Sequence, residues 1–309
     1  MTTTIQEIIE VDAPIPTWFG IGGRADALAR PRTTEELHDL LRMYAGQPVR
    51  VLGDGANLLV DDAGIDGLVI SLERFNSIEY IGYDPVTSPV PDRPRAITVR
   101  AGAGVKLPKL ITETVRLAIG GLETLSGIPA TIGGAVFMNA GGAFGQIADV
   151  VDTIHAVTRL GDELDIPHDQ IHFDYRHSGL GWLIITSVDL DLTLLPPERH
   201  PVLRQRMKDV MAYKAETQPL ASDSAGCVFK NPVIGGERVS AGLLIEQAGC
   251  KRMRVGGAEV SPHHANFIVT EPGCRARDVI RLMDLVGARV RAEMHVELER
   301  EVVVWRRSR

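Results

Sequence analysis

Apolar residues recur every three or four positions in several segments, which is the spacing of one face of a helix. In the segment 33–46, Thr33 stands at the position of a helix cap and Gly46 follows the last apolar residue. Pro108 is placed to open a second helix, because proline is favoured in a first helical turn. The pattern predicts helices over 33–46, 108–119, 201–215, 239–249 and 275–292.

Short runs of β-branched and other apolar residues between these helices predict strands. Four prolines exclude a helix or a central strand from 84–95, which we expect to be a surface loop. The hydrophobic pattern changes from strand-like to partly helical at the pair Pro196-Pro197. A β-rich first two-thirds is therefore predicted to precede an α+β last third. The predicted strands lie at 49–53, 58–60, 68–72, 97–104, 150–157, 164–166, 183–195, 266–270 and 301–305.

Composition excludes several classes of function. A length of 309 residues is enough for two or three domains with a sizeable core. The composition, 44% hydrophobic and 24% charged, is typical of a globular protein. Only 5% are aromatic and the formal net charge is -7, so neither base stacking nor binding to a phosphate backbone is expected. No signal peptide and no apolar run of membrane-spanning length is found. We therefore expect a soluble cytoplasmic protein without nucleic-acid or membrane partners.

Cysteine and histidine positions argue against a disulfide framework or a metal site. Cys227, Cys250 and Cys274 are odd in number and form no C-x-x-C pair. We expect Cys250 and Cys274 to be structural. His263 and His264 would point to opposite faces of a strand, and no carboxylate or cysteine stands at ligand spacing from them.

Three glycine-rich parts of the chain are candidates for ligand binding. The segment 20–25 formally matches G-x-G-x-x-A, but no strand precedes it and Pro31 interrupts the required helix, so an ordinary turn is predicted. The segment 53–57 follows a predicted strand, and its N–H groups either converge on an anion or belong to a plain hairpin turn. The segments 127–135 and 139–142 either approach a large flat ligand closely or form a tight packing seam between domains.

Taken together and in this order, the motifs carry a family resemblance. The chain resembles the UDP-N-acetylenolpyruvylglucosamine reductases, flavoenzymes that complete UDP-N-acetylmuramate in peptidoglycan synthesis. It is similar to the shorter subtype, which lacks an added tyrosine-bearing loop. The matching segments are TWFGIGGRA (17–25), VLGDGANLL (51–59), GLETLSGIPATIGGAVFMNAG (121–141), FDYRHS (173–178), AGCVFKNP (225–232), SAGLLIEQAG (240–249), VSPHHANFIV (260–269) and LEREV (298–302).

The resemblance implies an α+β fold of the vanillyl-alcohol-oxidase (PCMH) type that binds FAD. Two FAD-binding subdomains would occupy 1–72 and 73–197, and a UDP-sugar-binding domain would occupy 198–309. The implied reductant is NADPH, the implied substrate is UDP-N-acetylglucosamine enolpyruvate, and we expect a monomer. The residues implied at the FAD pyrophosphate are Gly53, Asp54, Gly55, Ala56, Asn57 and Leu58. Those implied along the isoalloxazine, ribityl and adenine groups are Gly127, Ile128, Pro129, Ala130, Thr131, Gly133, Gly134, Asn139, Ala140 and Gly141.

Three residues match the catalytic positions of the family. Arg176 would grip the substrate carboxylate, because a guanidinium offers a planar fork of donors. Cys227 stands where many relatives have serine and would donate the proton, since a thiol has a reference pKa of about 8.5. Glu301 would act near the enolate. The resemblance further implies that substrate is bound by Tyr175, Lys214, Lys230 and Asn231.

Alternatives remain open for these residues and for the activity. Without the motif, Arg176 and Glu301 suit surface charges, Cys227 suits a buried inert thiol, and Tyr175 suits a core position. Lys214 is the weaker candidate, because its helix face also suits a solvated side chain. The chain is alternatively another flavin oxidoreductase of the same superfamily, or a homologue that binds flavin or UDP-sugar without catalysis.

Overall fold

The computed structural model describes residues 5–89, 91–219 and 222–308 and combines helices with sheets. Its helices are α1 Thr34–Met43, α2 Leu107–Arg116, α3 Ile132–Phe137, α4 His200–Thr217, α5 Ala241–Gln247 and α6 Ala276–Met294. Its strands are β1 Ile9–Pro14, β2 Arg24–Ala29, β3 Val49–Leu52, β4 Leu58–Val60, β5 Ile65–Ser71, β6 Ile78–Ile81, β7 Arg95–Gly102, β8 Ile119–Gly120, β9 Gly141–Gly142, β10 Gly145–Gln146, β11 Val151–Thr158, β12 Glu163–Pro167, β13 Leu183–Leu194, β14 Val233–Ile234, β15 Glu237–Arg238, β16 Arg254–Val255, β17 Ala258–Val260, β18 Ile268–Thr270 and β19 Val303–Trp305.

The five predicted helices are confirmed as α1, α2, α4, α5 and α6. The Oγ1 atom of Thr33 accepts a hydrogen bond from the N–H of Glu36 at 3.2 Å, which caps α1 as predicted. Pro108 lies in the first turn of α2. The short helix α3 was not predicted, and it lies inside the glycine-rich segment.

Clustering of contacts divides the chain into two compact units. Unit 1 contains residues 1–10, 29–53 and 68–214, and unit 2 contains residues 11–28, 54–67 and 215–309. Both units are therefore assembled from separate parts of the sequence. The three-part division at 72 and 197 stays a prediction.

Unit 1 is built around a six-stranded antiparallel sheet. Its strand order is β12-β11-β13-β7-β6, and β8 pairs with the end of β13. The twelve-residue strand β13 pairs on both of its sides, and helix α3 packs against β13 and β7. In the same unit, β3 pairs in parallel with the second half of β5, from Leu68 to Ser71. The sheet therefore supports one side of the glycine-rich helix α3.

Unit 2 has a three-stranded antiparallel sheet with the order β16-β17-β18, and it also contains helices α5 and α6. One apolar stripe of α6 is buried, because its five residues are at most 1% exposed. Strand β19 pairs in parallel with β4. The stripe consists of Val279, Leu282, Met283, Val286 and Val290.

The segment 20–25 and the pair His263-His264 can be compared with the local structure considered for them from sequence. The segment 20–25 leads into strand β2 rather than a helix, which confirms that it is not a dinucleotide fingerprint. His263 and His264 lie in a turn that precedes β18, so the strand geometry considered for them was wrong. Within the described ranges, no group of three His, Cys, Asp or Glu side chains is arranged to hold a metal ion. None of the helices described has the length and apolarity needed to span a membrane.

Cys250 and Cys274 are buried in unit 2, at 0% and 7% exposed. Burial raises the pKa of the Cys250 thiol above its ordinary range. Burial and the nearby Asp278 carboxylate raise the pKa of Cys274 to about 11. Both thiols therefore stay protonated near neutral pH, as structural cysteines do.

Candidate active site

The loop 54–58 of unit 2 is held in place by main-chain contacts. The carbonyl oxygen of Gly55 accepts a hydrogen bond from the N–H of Trp18 at 3.1 Å, and that of Asn57 accepts one from Val303 at 3.1 Å. Gly55 has φ of +67°, and a Cβ atom there would lie 2.3 Å from the carbonyl oxygen of Pro16. Glycine is therefore required at this position for both conformation and space.

The main-chain N–H groups of this loop are suited to an anion. Those of Gly55, Ala56 and Asn57 donate to no group of the described residues. Consecutive N–H groups around a left-handed glycine form a concavity that binds phosphate oxygens. The side-chain amide of Asn57 donates to the carbonyl oxygen of Glu301 at 3.1 Å. The main chain of the loop, rather than that amide, fits a pyrophosphate.

Gly55→Ala tests whether the loop 54–58 binds FAD. The Cβ atom would collide with Pro16, and the positive φ would be strained, so we expect a loss of about 1–3 kcal/mol in the free energy of unfolding. We also expect bound FAD to be lost during gel filtration. The control is Gly46→Ala, since that glycine also has a positive φ but nothing within 4 Å of a Cβ. An alanine variant at Gly55 that keeps its FAD would contradict the assignment.

The start of helix α3 in unit 1 is packed closely against neighbouring main chain. Thr131 caps the helix by accepting the N–H of Gly134 at 3.2 Å. A Cβ atom on Gly53 would lie 3.1 Å from the Oγ1 of Thr131, and one on Gly133 would lie 2.9 Å from the Cβ of Ala103. The N–H groups of Ile132 and Gly133 donate to Val105 and Ala103. This segment thus offers a surface of small groups to a flat ligand, without free amide donors at the helix start.

Asn139 has a different environment from the one expected of a flavin contact. It is 2% exposed, and its φ is +43°. Its Nδ2 atom donates to the Oε1 of Gln146 at 3.1 Å and to the carbonyl oxygen of Asp174 at 3.0 Å. Its Oδ1 atom accepts from the N–H of Ala148 at 3.3 Å. The side chain is engaged within unit 1, so the prediction that Asn139 lines the flavin gains no support from it.

Arg176 lies in a tight turn of the FDYRHS motif. Asp174 and His177 exchange two main-chain hydrogen bonds, of 2.9 and 3.1 Å, across this turn. Arg176 has φ of +56°, a conformation that is uncommon for a non-glycine residue. Its Cζ atom lies 5.0 Å from the ring centroid of Tyr175, within cation–π range. The turn therefore holds the guanidinium against an aromatic face, and its strained backbone points to a functional role.

Lys214 is buried, which argues against the solvated alternative that its helix face left open. It is 8% exposed, and its Nζ atom has no hydrogen-bond or ion-pair partner among the described residues. A Cβ atom on Gly127 would lie 2.9 Å from its Cδ. Burial, together with the charge of Arg176, lowers the pKa of Lys214 to about 8. A buried ammonium without a carboxylate, near a second cation, indicates a site for an anion.

Cys227 and Glu301 lie on neighbouring segments of unit 2. The segment 227–230 lies between two other segments. On one side, the N–H of Val228 donates to the carbonyl oxygen of Asn266 at 2.9 Å. On the other side, the carbonyl oxygen of Val228 accepts from the N–H of Glu301 at 2.8 Å. Cys227 is half-buried and forms a β-bridge with Phe267. The fold thus brings two predicted catalytic residues together, although they are far apart in sequence.

Lys230 and Asn231 have protein partners in the same unit. The Nζ atom of Lys230 lies 2.6 Å from the Oε1 of Glu299, in an ion pair. The Oδ1 atom of Asn231 accepts from the N–H of Ala241 at 2.9 Å, at the start of α5. Binding of a diphosphate by these two residues stays a prediction.

Sequence reasoning missed Asn266. Its Oδ1 atom accepts from the N–H of Phe229 at 3.0 Å, and its Nδ2 atom donates to the carbonyl oxygen of Phe229 at 2.8 Å. It is 2% exposed and fixes the segment that carries Cys227. Its position beside two histidines in HHANF drew attention to those instead, and no local signal separated it from them.

Comparison with known proteins gives consistent similarities. Residues 218–305 match the family model of the UDP-N-acetylenolpyruvoylglucosamine reductase C-terminal domain, and residues 25–166 match an FAD binding domain. A UDP-N-acetylenolpyruvoylglucosamine reductase of Moorella thermoacetica is 38% identical over 94% of this chain and 90% of its own length. One from Symbiobacterium thermophilum is 40% identical over 92% of this chain and 87% of its own. A crystal structure of the reductase from Thermus caldophilus has a TM-score of 0.76 and 37% identity, and covers 94% of this chain and 96% of its own.

Proposed function

Because the chain belongs to the UDP-N-acetylenolpyruvoylglucosamine reductase family, we propose that it reduces UDP-N-acetylglucosamine enolpyruvate to UDP-N-acetylmuramate, using FAD and NADPH. Membership confirms the resemblance on which the sequence interpretation rested. The FAD-binding domain match confirms the predicted PCMH-type fold class and the FAD cofactor. The observation that carries the proposal is identity of 38% over 94% of the chain.

The residues present fit the cofactor. When bound, FAD supplies the carrier that takes a hydride from NADPH and passes it to the substrate. The open N–H groups of Gly55, Ala56 and Asn57 would hold its pyrophosphate. The small residues at the start of α3, with Thr131 as cap, would contact its flat ring system.

Arg176 is assigned to the substrate carboxylate. Hydride addition to the terminal methylene places negative charge on the adjacent carbon and in the carboxylate. A guanidinium held in place before the reaction stabilises that charge without having to reorganise. The strained turn and the Tyr175 ring supply this fixed position.

Cys227 is assigned as the proton donor and Glu301 as a residue acting near the enolate. After hydride addition, the Sγ–H proton of Cys227 passes to the carbon next to the carboxylate, and the thiolate that remains regains a proton from solvent. A half-buried thiol held by its β-bridge to Phe267 is suited to protonate one face only. This role accounts for cysteine at a position where serine, a much weaker acid, is common in the family.

Lys214 is assigned to an anionic group of the substrate, with Lys230, Asn231 and Tyr175 as further contacts. A lysine acts on phosphate as a point charge, so the diphosphate suits the buried ammonium of Lys214, which has no hydrogen-bond or ion-pair partner within the described ranges. Lys230 would have to exchange Glu299 for the substrate, because the two are paired at 2.6 Å.

The pH dependence of substrate binding tests Lys214. The lowered pKa means that the ammonium is lost as pH rises through about 8, so the dissociation constant of the substrate should rise about tenfold per pH unit above this value. We expect Lys214→Met to bind weakly at all pH values and to lack this rise. The same variant should gain up to about 3 kcal/mol in the free energy of unfolding at pH 7, a gain that fades as pH rises from 8 to 10.5.

The measurement is a titration of the oxidised enzyme with substrate from pH 6.5 to pH 9.5, followed by flavin absorbance. Lys208→Met is the matched control, because Lys208 is an exposed lysine on the same helix. Parallel pH profiles for wild type and Lys214→Met would refute the assignment.

The proposed function is tested with purified protein. Oxidised flavin absorbs near 370 and about 450 nm, and NADPH oxidation should depend on UDP-N-acetylglucosamine enolpyruvate. Reduction of the flavin by simple alcohols would favour another oxidoreductase of the superfamily. A yellow protein that never oxidises NADPH would favour a homologue without catalysis. A monomeric state and a cytoplasmic location are further parts of the proposal, and light scattering of the purified protein tests the former.

A further inference from the structure

The end of helix α3 is connected to both sides of the turn that carries Arg176. On one side, the Nδ2 atom of Asn139 donates to the carbonyl oxygen of Asp174 at 3.0 Å. On the other side, the Oγ atom of Ser178 donates to the carbonyl oxygen of Phe137 at 2.7 Å. Asn139 and Ser178 are each 2% exposed. Two hydrogen bonds from buried residues therefore anchor the four-residue turn to the end of one short helix.

We propose that Asn139 is a positioning residue for Arg176. The proposal rests on the proposed function, because it assumes that Arg176 binds the substrate carboxylate. It differs from the sequence prediction, in which Asn139 contacts flavin. The position of the turn determines where the guanidinium lies. The hydrogen bond from Asn139 to the carbonyl oxygen of Asp174 holds that turn in place.

The backbone of Arg176 explains why an anchor is needed. A φ of +56° is strained for a non-glycine residue, and such strain persists only where surrounding contacts impose it. Within the turn, Asp174 and His177 exchange two main-chain hydrogen bonds, but these fix only its local shape. Asn139 and Ser178 fix its place against the end of α3.

Asn139 is itself suited to this task. Its φ of +43° is tolerated by asparagine better than by most residues. Its three hydrogen bonds reach Gln146 and Ala148 in one segment and Asp174 in another, so the amide joins two separate segments to the end of α3. An aspartate would keep the left-handed backbone and the acceptor for Ala148, but would lose both N–H donors.

The test compares Asn139→Asp with wild type, Arg176→Gly and two neighbours. Ser178→Ala removes the second anchor, and Gln146→Leu removes an Asn139 bond that does not reach the turn. Asn139→Gly is the substitute if the aspartate variant fails to fold, because glycine accepts the positive φ. For each variant we would measure kcat, the NADPH-dependent reduction of flavin, and binding of the substrate against UDP-N-acetylglucosamine, which lacks the carboxylate.

We expect Asn139→Asp to lower kcat about 100-fold, the effect of a displacement near 1 Å. Flavin content and flavin reduction by NADPH should stay within about twofold of wild type, and the preference for the carboxylate-bearing ligand should be lost as in Arg176→Gly. Ser178→Ala should change in the same direction, and Gln146→Leu should not. Hydrogen–deuterium exchange should increase in the peptide covering 173–178.

These outcomes distinguish failure of the inference about Asn139 from failure of the proposed function. Unchanged exchange over 173–178 in Asn139→Asp overturns the inference whatever the activities are. Loss of FAD with the carboxylate preference kept also overturns it, and supports the flavin contact predicted from sequence. A carboxylate preference that survives Arg176→Gly instead refutes the role of Arg176 in the proposed function.

Discussion

Replacing Cys227 with alanine is expected to lower kcat by about 10²–10⁴-fold, because the intermediate then has no positioned proton donor. Reduction of the flavin by NADPH, followed at about 450 nm, should proceed as in wild type, since that half of the reaction needs no proton from Cys227. Cys227→Ser should retain measurable activity, because a hydroxyl at the same place still carries a proton to donate, although it is a weaker acid than a thiol.

Cys250→Ala is the control for this experiment. Cys250 is a second cysteine of unit 2, is 0% exposed, and has a raised pKa caused by burial. Its alanine variant should turn over like wild type, apart from some loss of thermal stability. A fully active Cys227→Ala enzyme would remove Cys227 from the mechanism. Equal loss in the two alanine variants would indicate a packing defect instead.

Arg176→Gly is expected to lower kcat/KM by about 10²–10³-fold, the cost of removing one charge-stabilising donor group. Glycine is the informative replacement, because φ of +56° suits it and the backbone of the turn is preserved. Arg176→Lys keeps the charge but not the planar fork, so it should be intermediate. The measurement is steady-state kinetics with the enolpyruvyl substrate.

A second property should change with Arg176. Its charge contributes to the lowered pKa of Lys214, so in Arg176→Gly the weakening of substrate binding should begin above pH 8. Arg159→Gly is the control, since Arg159 is another arginine of unit 1 and donates to the carbonyl oxygen of Val49. If Arg176→Gly kept full activity and the wild-type pH dependence of substrate binding, Arg176 would neither bind the carboxylate nor lower the pKa of Lys214.

Local spacing was enough to predict the long elements of the fold. The apolar stripe of α6 and the cap of α1 depend on residues within a turn or two, so the sequence alone determines them. The family motifs likewise pointed to Arg176, Cys227 and Glu301, although their roles stay predictions.

Features that depend on distant partners were missed. Helix α3 is rich in glycine and has weak local propensity, yet Val105 and Ala103 accept its first N–H groups. The helix position of Lys214 suited both substrate binding and a solvated side chain, and its burial results from tertiary packing. Asn139 and Asn266 hold segments 35 and 37 residues away, respectively. No window of sequence contains both ends of such contacts.

The parallel pairing of β4 with β19 has a consequence for biosynthesis. The amide of Asn57 bonds to the carbonyl oxygen of Glu301, which follows it by 244 residues. At about 5–20 residues per second, a ribosome needs about 12–50 s to cover that interval. The nascent chain therefore carries an incomplete loop until β19 has emerged, and we expect FAD to be captured only after that point.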